Sequence, residues 1–314
     1  MNNARILVVG ELNIDLILKN MKGLPAMGQE IISNDMDIVL GSSSAIFACN
    51  ITTLGSAVSF AGMIGNDLFG QFILAELKNR KVDTSLIITN DRQKTGITVI
   101  LNYGEERANV THCGAMQNFS FDDLPLSELP AFDHLHLSSY FFQEALLPDI
   151  PRLFKAAKEK GLSTSLDLQW DPENKWDFPY DECLPFVDVF LPNESEICSL
   201  TGKENVEDAI LKVSVADTVI VIKRGAKGAL AYEKGRFISS DGFAHAHFVD
   251  SVGAGDSFNA GFIFKYINGH SIEESLRFAN LTGAINTLAP GGTTAFSSLP
   301  AVRAKAKEIF NIEL

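Results

Sequence analysis

The sequence predicts an α/β fold: a three-layer α/β/α sandwich around a mainly parallel sheet, with a small second sheet set apart from it. From residue 134 onward, strand-length apolar runs alternate steadily with helix-length amphipathic stretches. Such alternation means right-handed βαβ crossovers with helices on both faces of the sheet. Before that region, alternating runs at 97–102 and 108–113 pair across Tyr103-Gly104-Glu105-Glu106 as a hairpin, which does not fit the βαβ order. Near the carboxyl end, an alternating stretch at 244–249 enters a Gly-Ala-Gly turn, and an apolar-periodic stretch follows over 256–267. That pattern reads as strand, tight turn, helix.

In chain order, residues 6–9 form a short buried strand, and 12–20 and 31–40 read as strands with mixed faces. Residues 45–54 form a helix, with Ser42, Ser43 and Ser44 offering N-cap hydroxyls and Gly55 ending it. A strand at 58–63 and an amphipathic helix at 69–81 follow, then the hairpin. Strand 134–138 precedes helix 151–160, strand 163–167 follows, and strand 187–191 leads to helix 194–200. A helical stretch at 207–212, strand 219–223 and a helix at 275–288 complete the pattern. No internal repeat, low-complexity tract or long linker interrupts it, so residues 1–314 are expected to form one domain.

At 46% hydrophobic and 21% charged residues, composition is that of an ordinary globular chain with a sizeable core. A net charge of −13 argues against nucleic acid or an anionic membrane surface as partner. Any polyphosphate site must therefore carry its own positive field from a metal, helix N-termini and a few cations. Cys49, Cys113, Cys183 and Cys198 are widely spaced without a C-x-x-C pair, which fits reduced thiols in the cytoplasm. Residues 1–18 carry Glu11 and Asp15 inside their apolar stretch and show no small-residue cleavage site. They are read as neither signal peptide nor membrane span.

The most informative segment is Asp250-Ser251-Val252-Gly253-Ala254-Gly255-Asp256. A glycine-rich turn at the start of a helix presents backbone N–H groups where the dipole also favours negative charge. Glycines let the backbone approach an anion closely. Asp256, placed at the first helical position, is available for proton transfer. The alternative is an ordinary Gly-rich turn capped by Asp.

This segment closely resembles the second signature of the PfkB-type, ribokinase-like carbohydrate kinases, with Ser251 where Thr is commoner. The resemblance implies that Asp256 takes the proton from the attacking sugar hydroxyl, and that the Gly253, Ala254 and Gly255 amides form an anion hole. It implies ATP with Mg²⁺, and K⁺ in some members through a loop including Asp250 and the tail Leu288-Ala289-Pro290-Gly291-Gly292-Thr293-Thr294. It also implies that strands within 12–20, 31–40 and 96–113 form a lid over the sugar and often a dimer interface. Gly62-Met63-Ile64-Gly65-Asn66-Asp67-Leu68-Phe69-Gly70 matches a further run of the family, so the likeness spans nearly the whole chain.

Pro192-Asn193-Glu194-Ser195-Glu196 is similar to the family's Asn-x-x-Glu motif, which implies nucleotide contact by Asn193 and a water-mediated Mg²⁺ role for Glu196. One helical turn separates the two, which also suits plain capping by Asn193. Lys223-Arg224-Gly225-Ala226-Lys227-Gly228 resembles the loop over the nucleotide phosphates, through Lys223, Gly225 and Gly228, and equally reads as a solvated charged turn. Asn280 matches a position bordering adenine.

On the sugar side, Asn13 and Asp15 resemble a pair that grips sugar hydroxyls, and Asp15 also reads as a strand-edge acid. Gly41 and Ser42 open the first signature, where Ser42 replaces a second Gly and Ile46 replaces an Asn. Losing an amide that bonds substrate removes a specificity contact. Arg107 resembles an arginine that meets anionic substrates, and also reads as an exposed hairpin residue. Asp167-Leu168-Gln169-Trp170-Asp171 resembles an Asp-x-Asn-x-Arg strand end with Gln169 for the Asn and Asp171 for the Arg. A carboxylate there would repel an anionic substrate, which favours a neutral sugar or polyol. His134 and His136, like His245 and His247, are spaced by two on expected strands, and lack a third zinc ligand at matching spacing. Neither G-x-G-x-x-G nor G-x-x-x-x-G-K-[ST] is present, which excludes the Rossmann and P-loop nucleotide sites. Beside the sugar kinase stand two alternatives, a nucleoside or vitamin-precursor kinase of the same fold and a non-catalytic sugar sensor.

Overall fold

The computed structural model describes residues 4–103, 106–215 and 217–314. Gly104 and Glu105, in the turn of the expected hairpin, lie outside these residues. In chain order the strands are β1 (Arg5–Val9), β2 (Asn13–Lys19), β3 (Asp35–Leu40), β4 (Ala57–Gly65), β5 (Ile87–Asn90), β6 (Gly96–Tyr103) and β7 (Glu106–His112). They continue with β8 (His134–Leu137), β9 (Ser163–Leu166), β10 (Val189–Phe190), β11 (Val219–Lys223), β12 (Ala229–Glu233) and β13 (Arg236–Ser240). The helices are α1 (Ser43–Leu54), α2 (Leu68–Asn79), α3 (Ile150–Glu159), α4 (Tyr180–Cys183), α5 (Glu194–Thr201), α6 (Val206–Val213), α7 (Ala254–Ile267), α8 (Ile272–Asn286) and α9 (Leu299–Phe310).

Among the described residues nine strands form one sheet in the order β13-β12-β11-β10-β9-β8-β1-β4-β5. From β11 through β5 the neighbours are parallel, and the β12 and β13 edge is antiparallel. Alternate side chains of β1 enter opposite cores: Leu7 and Val9 one, Ile6 and Val8 the other. A strand covered on both faces requires such a continuous apolar run. Helices α1, α2, α7 and α8 cover one face through Phe47, Leu77, Phe262 and Leu276. Helices α3 to α6 cover the other through Phe154, Cys183, Ile197 and Ile210.

The second sheet, β3-β2-β6-β7, is the separate sheet expected from the early segments. Its register sets Asp15 beside Thr98, and Thr98 beside Thr111, so these three side chains share one face. Ser42 caps α1 with its hydroxyl on the Ala45 N–H at 2.9 Å, and Gly55 ends the helix at φ 123°.

Two expectations need correction. Residues 241–250 form no strand, because β13 already ends at Ser240. The segment runs instead along the end of α8, where the Val249 N–H donates to the Thr287 carbonyl at 2.8 Å and His245 Nε2 bonds the Thr287 hydroxyl at 2.8 Å. Alternation without a neighbouring strand leaves Phe248 and Val249 exposed, and His245 and His247 share no strand face. Asp256 is also the third residue of α7 rather than its first, because the helix begins at Ala254. Strands β5, β12 and β13 and helix α9 have no counterpart in the sequence expectations.

His134 and His136 do share a face of β8 and are fully buried against the hydroxyls of Ser163, Ser165 and Ser138 at 2.7–2.8 Å. Burial pushes both imidazoles down, His134 to about 3, so they are neutral hydrogen-bonding residues. Among the described residues the four cysteines are unpaired, and no helix is long and apolar enough to cross a membrane.

Candidate active site

A cleft of about 1110 Å³ opens where β1, β8 and β9 end, between the main sheet and the face of the second sheet carrying Asp15, Thr98 and Thr111. Ligands of open parallel sheets gather outside the carboxyl ends of the strands, where the loops diverge. The amino end of α7 points into the same cleft, bringing Val252, Gly253 and Asp256 to its wall.

Gly253 has φ 74°, and a Cβ there would lie 2.4 Å from the Gly292 Cα. The turn therefore needs a glycine both for its left-handed backbone and for its close approach to the 291–292 loop. The Ala254 N–H donates to the Ser251 carbonyl at 3.2 Å. Among the described residues the Gly253 and Gly255 amides meet no such acceptor, so they are the free donors of the turn. Asp250 braces the turn from below: its carboxylate accepts the Val252 N–H and the Gly291 N–H, each at 3.0 Å.

Asp256 is 6% exposed, and its Oδ1 accepts a hydrogen bond from Gln169 Nε2 at 3.1 Å. Burial, then the nearby Asp167 charge, pushes its carboxyl up to about 7. Behind it lies a buried ionic cluster. Asp167, fully buried, accepts at Oδ2 from Lys223 Nζ at 2.8 Å, Asn259 Nδ2 at 2.5 Å and Gln169 Nε2 at 3.2 Å. Burial alone would pull the Lys223 ammonium down, but Asp167 and Glu196 more than offset this and hold it above the usual lysine value. A Cβ on Gly255 would sit 3.8 Å from Lys223 Nζ, so this cation lies beside the free amides.

On the second-sheet side, Asn13 Nδ2 donates to Asp15 Oδ1 and to the Thr98 hydroxyl, each at 3.1 Å, and Thr98 meets Thr111 at 3.0 Å. Burial raises Asp15 to about 7, opposed by the Asn13 bond and the Arg107 charge. Gly41 makes room for the pair, since a Cβ there would lie 2.4 Å from Asp15 Oδ1. Ser42 holds φ 67°, a backbone that favours glycine, while its hydroxyl donates to the Glu11 carbonyl at 2.6 Å. Ile46 lines the cleft and packs against Gly253 and Gly292. Arg107 lines the same cleft. Asp171 also lies in its wall, 3% exposed, with its carboxylate accepting the Glu173 N–H at 2.9 Å and the Trp176 N–H at 2.6 Å.

Away from the second sheet, Asn193 and Glu196 form a reciprocal capping box on α5, with bonds of 2.8 Å in each direction. Glu196 is nevertheless 4% exposed and interacts with Lys223 and Asp167, and burial raises it. The capping expected of this motif is therefore present, with Glu196 buried beside the Lys223–Asp167 pair. Gly225 and Gly228 make the tight β11–β12 turn, at φ 57° and 88°. Its outer cations, Arg224 and Lys227, pair with Glu194 at 3.7 and 3.6 Å. Asn280 donates to the Ser240 and Asp241 carbonyls at 3.1 Å, bracing the loop that packs on Gly228.

Glu11, Asp167 and Asn259 enter the site without having been singled out by sequence. Glu11 is buried and accepts from the Ser44 hydroxyl at 2.6 Å. An acid following an apolar strand directly was its available signal. Asn259 carried none, since one polar residue in an apolar helix is uninformative until its partner is known.

The sequence model of the pfkB family of carbohydrate kinases matches residues 3–299. The chain belongs to that family. A ribokinase of Lactococcus lactis is 26% identical over 98% of both chains, and a 2-dehydro-3-deoxygluconokinase of Bacillus subtilis is 27% identical over 80% of this chain and 82% of that one. The structure of an Arabidopsis thaliana ribokinase, complexed with ribose and ATP, superposes with a TM-score of 0.82 at 25% identity, covering 96% of this chain and 97% of that one. This pfkB kinase is a phosphotransferase with an alcohol group as acceptor.

Proposed function

We propose that this pfkB kinase transfers the γ-phosphate of ATP to a primary alcohol of a small neutral sugar or polyol. The observation that carries this is a buried carboxylate, Asp256, poised near neutrality between two free helix-start amides and a hydroxyl-binding face. A base whose pKa lies near the working pH removes a proton best. Asp15 and Asn13 would grip other hydroxyls of the substrate, while the attacking hydroxyl would lose its proton to Asp256 as its oxygen attacks the γ-phosphorus in line, with ADP departing. The Gly253 and Gly255 amides and Lys223 face the charge that develops on the phosphoryl oxygens.

The resident metal would be Mg²⁺. Each oxygen of Glu196 accepts one bond from Asn193, which leaves lone pairs for metal-bound water. When bound, Mg²⁺ neutralises phosphate charge. Asn193, Gly225 and Gly228 would border the nucleotide, and Asn280 holds the loop beside it. Asp250 and the 291–292 loop would hold K⁺.

The cleft favours a neutral substrate, because seven acidic side chains against two basic ones line it. Ile46 supports a second reading, a nucleoside or vitamin-precursor alcohol, since it presents hydrocarbon beside the base. A sensor that only binds sugar would have no use for free amides beside a buried base. The second sheet would act as a lid, and a second copy would cover its exposed Met36, Ile38 and Val110; sedimentation would test that dimer. Cytoplasmic location fits the unpaired thiols.

The test is ADP release from Mg-ATP, with and without K⁺, across neutral sugars, polyols, sugar acids and nucleosides, with Asp256→Asn alongside. Turnover on a neutral sugar that is lost in the variant supports the reading. Preference for an acid or phosphorylated sugar would overturn the neutral-substrate argument and promote Arg107.

A further inference from the structure

Gln169 stands just past β9 with φ 61°. Left-handed backbone is uncommon for any residue but glycine, and Asn tolerates it better than Gln. Such strain persists only where surrounding structure over-determines it, and it gathers at functional sites. Two hydrogen bonds hold Gln169 there: its Nε2 donates to Asp256 Oδ1 at 3.1 Å and to Asp167 Oδ2 at 3.2 Å. Ionised carboxylates only accept, so an amide between two of them must turn its nitrogen to both, and its two N–H groups suffice.

We propose that Gln169 is a positioning residue for the base, clamping Asp256 Oδ1 through the amide and tying it to the Asp167–Lys223 pair. This rests on the reading of Asp256 as base. The other charged groups facing Asp256 are Asp167 past β9, Lys223 at the end of β11 and Glu11 past β1. The two acids favour protonated Asp256, whereas Lys223 and the Ser43 hydroxyl favour the ionised form, and the Gln169 amide, which donates to Oδ1, acts in the same sense. Removing the amide therefore makes the base harder to ionise and frees its rotamer.

The experiment is a pH profile of kcat for Gln169→Leu, Gln169→Asn and Gln169→Glu beside wild type and Asp256→Asn, with ATP affinity and thermal unfolding measured on each. Gln169→Leu is expected to lower kcat about 10- to 100-fold near neutrality, the worth of a hydrogen bond to a charged group. Its acid limb should move up by about one pH unit, so that the deficit shrinks in alkali, while ATP affinity stays unchanged. Gln169→Asn, which restores the amide and suits the backbone, should recover most of the loss. Should Gln169→Leu fail to fold, Gln169→Glu keeps the shape and should shift the limb further in the same direction. An unmoved acid limb, or an Asn variant as impaired as Leu, overturns the proposal. If Asp256→Asn is inactive while Gln169→Leu behaves as wild type, this inference fails alone; full turnover by Asp256→Asn removes the base itself.

Discussion

Replacing Asp256 by Asn should cost activity and return stability, with a pH dependence that separates the two effects. The Asp256 carboxyl titrates at an ordinary 3.8 in the unfolded chain and at about 7 in the fold. A carboxyl raised on folding stabilises the native state fully below its unfolded value, and that contribution is lost as pH rises to the folded value. Asn has no proton to lose and its fold stability lacks this slope. Between about pH 5.5 and 8 the wild type should lose about 2 kcal/mol relative to the variant, at up to about 1.36 kcal/mol per pH unit and levelling off above about pH 7 as the folded carboxyl finishes ionising. Glu196 and Asp15 are also raised, but they are present in both proteins and largely cancel. At about 2–4 °C per kcal/mol, thermal unfolding of the nucleotide-free proteins at the two pH values should show the Tm gap widening by about 4–8 °C in favour of the Asp256→Asn variant. Over the same range its kcat should lie about 10²- to 10⁴-fold below wild type, the usual worth of a positioned base. A Tm gap that is constant with pH would refute the claim that buried Asp256 charges only at the expense of stability.

Three further outcomes follow from the same geometry. Gly255→Ala should fold and unfold at or above the wild-type temperature, because the nearest atoms to the new methyl are 3.8 Å away and Ala exceeds Gly by up to about 1 kcal/mol in a helix. Its kcat should fall about 10²-fold, as when an anion-hole donor is lost, since the methyl lies between Lys223 and the free amides; undiminished turnover would remove Gly255 from the phosphoryl site. Lys223→Met should destabilise by about 3–5 kcal/mol by stranding Asp167, and adding Asp167→Asn should restore most of it, which denaturant titration of the single and double variants will read. Ser42→Gly should change stability by no more than about 1 kcal/mol, because relief of the 67° φ is offset by loss of the hydroxyl bonds to the Glu11 carbonyl and the Ala45 N–H; a change of several kcal/mol in denaturant titration would contradict that.

The local devices were legible because they are written in contiguous residues. Strand β1 shows as four apolar residues, α1 by its serine cap and terminal Gly55, and the β6–β7 hairpin by alternation. The glycine turn before α7 was legible too, through its composition, although the helix starts two residues earlier than the apolar period suggested. The error at 241–250 has a definite cause. Alternation reports which side chains could share a face, but a strand also needs a neighbour, and here the Thr287 carbonyl at the end of α8 takes the backbone donor instead. The β12–β13 edge and α9 escaped because weak periodicity at a margin competes poorly with turns.

By itself the sequence determined the α/β order, the separate small sheet, the glycine turn and the acid within it, since each depends on residues a few positions apart. Only the tertiary structure decided what surrounds that acid. Gln169, Asp167, Lys223 and Asn259 come from the ends of β9 and β11 and from inside α7, separated by up to 92 positions, and the Asp167 and Lys223 charges bear on how readily Asp256 ionises. Burial and charge proximity are properties of the packed whole, so no local pattern encodes them. For the same reason Ser42 read as a substitution in a motif, and became a strained helix cap only once the backbone around it was known.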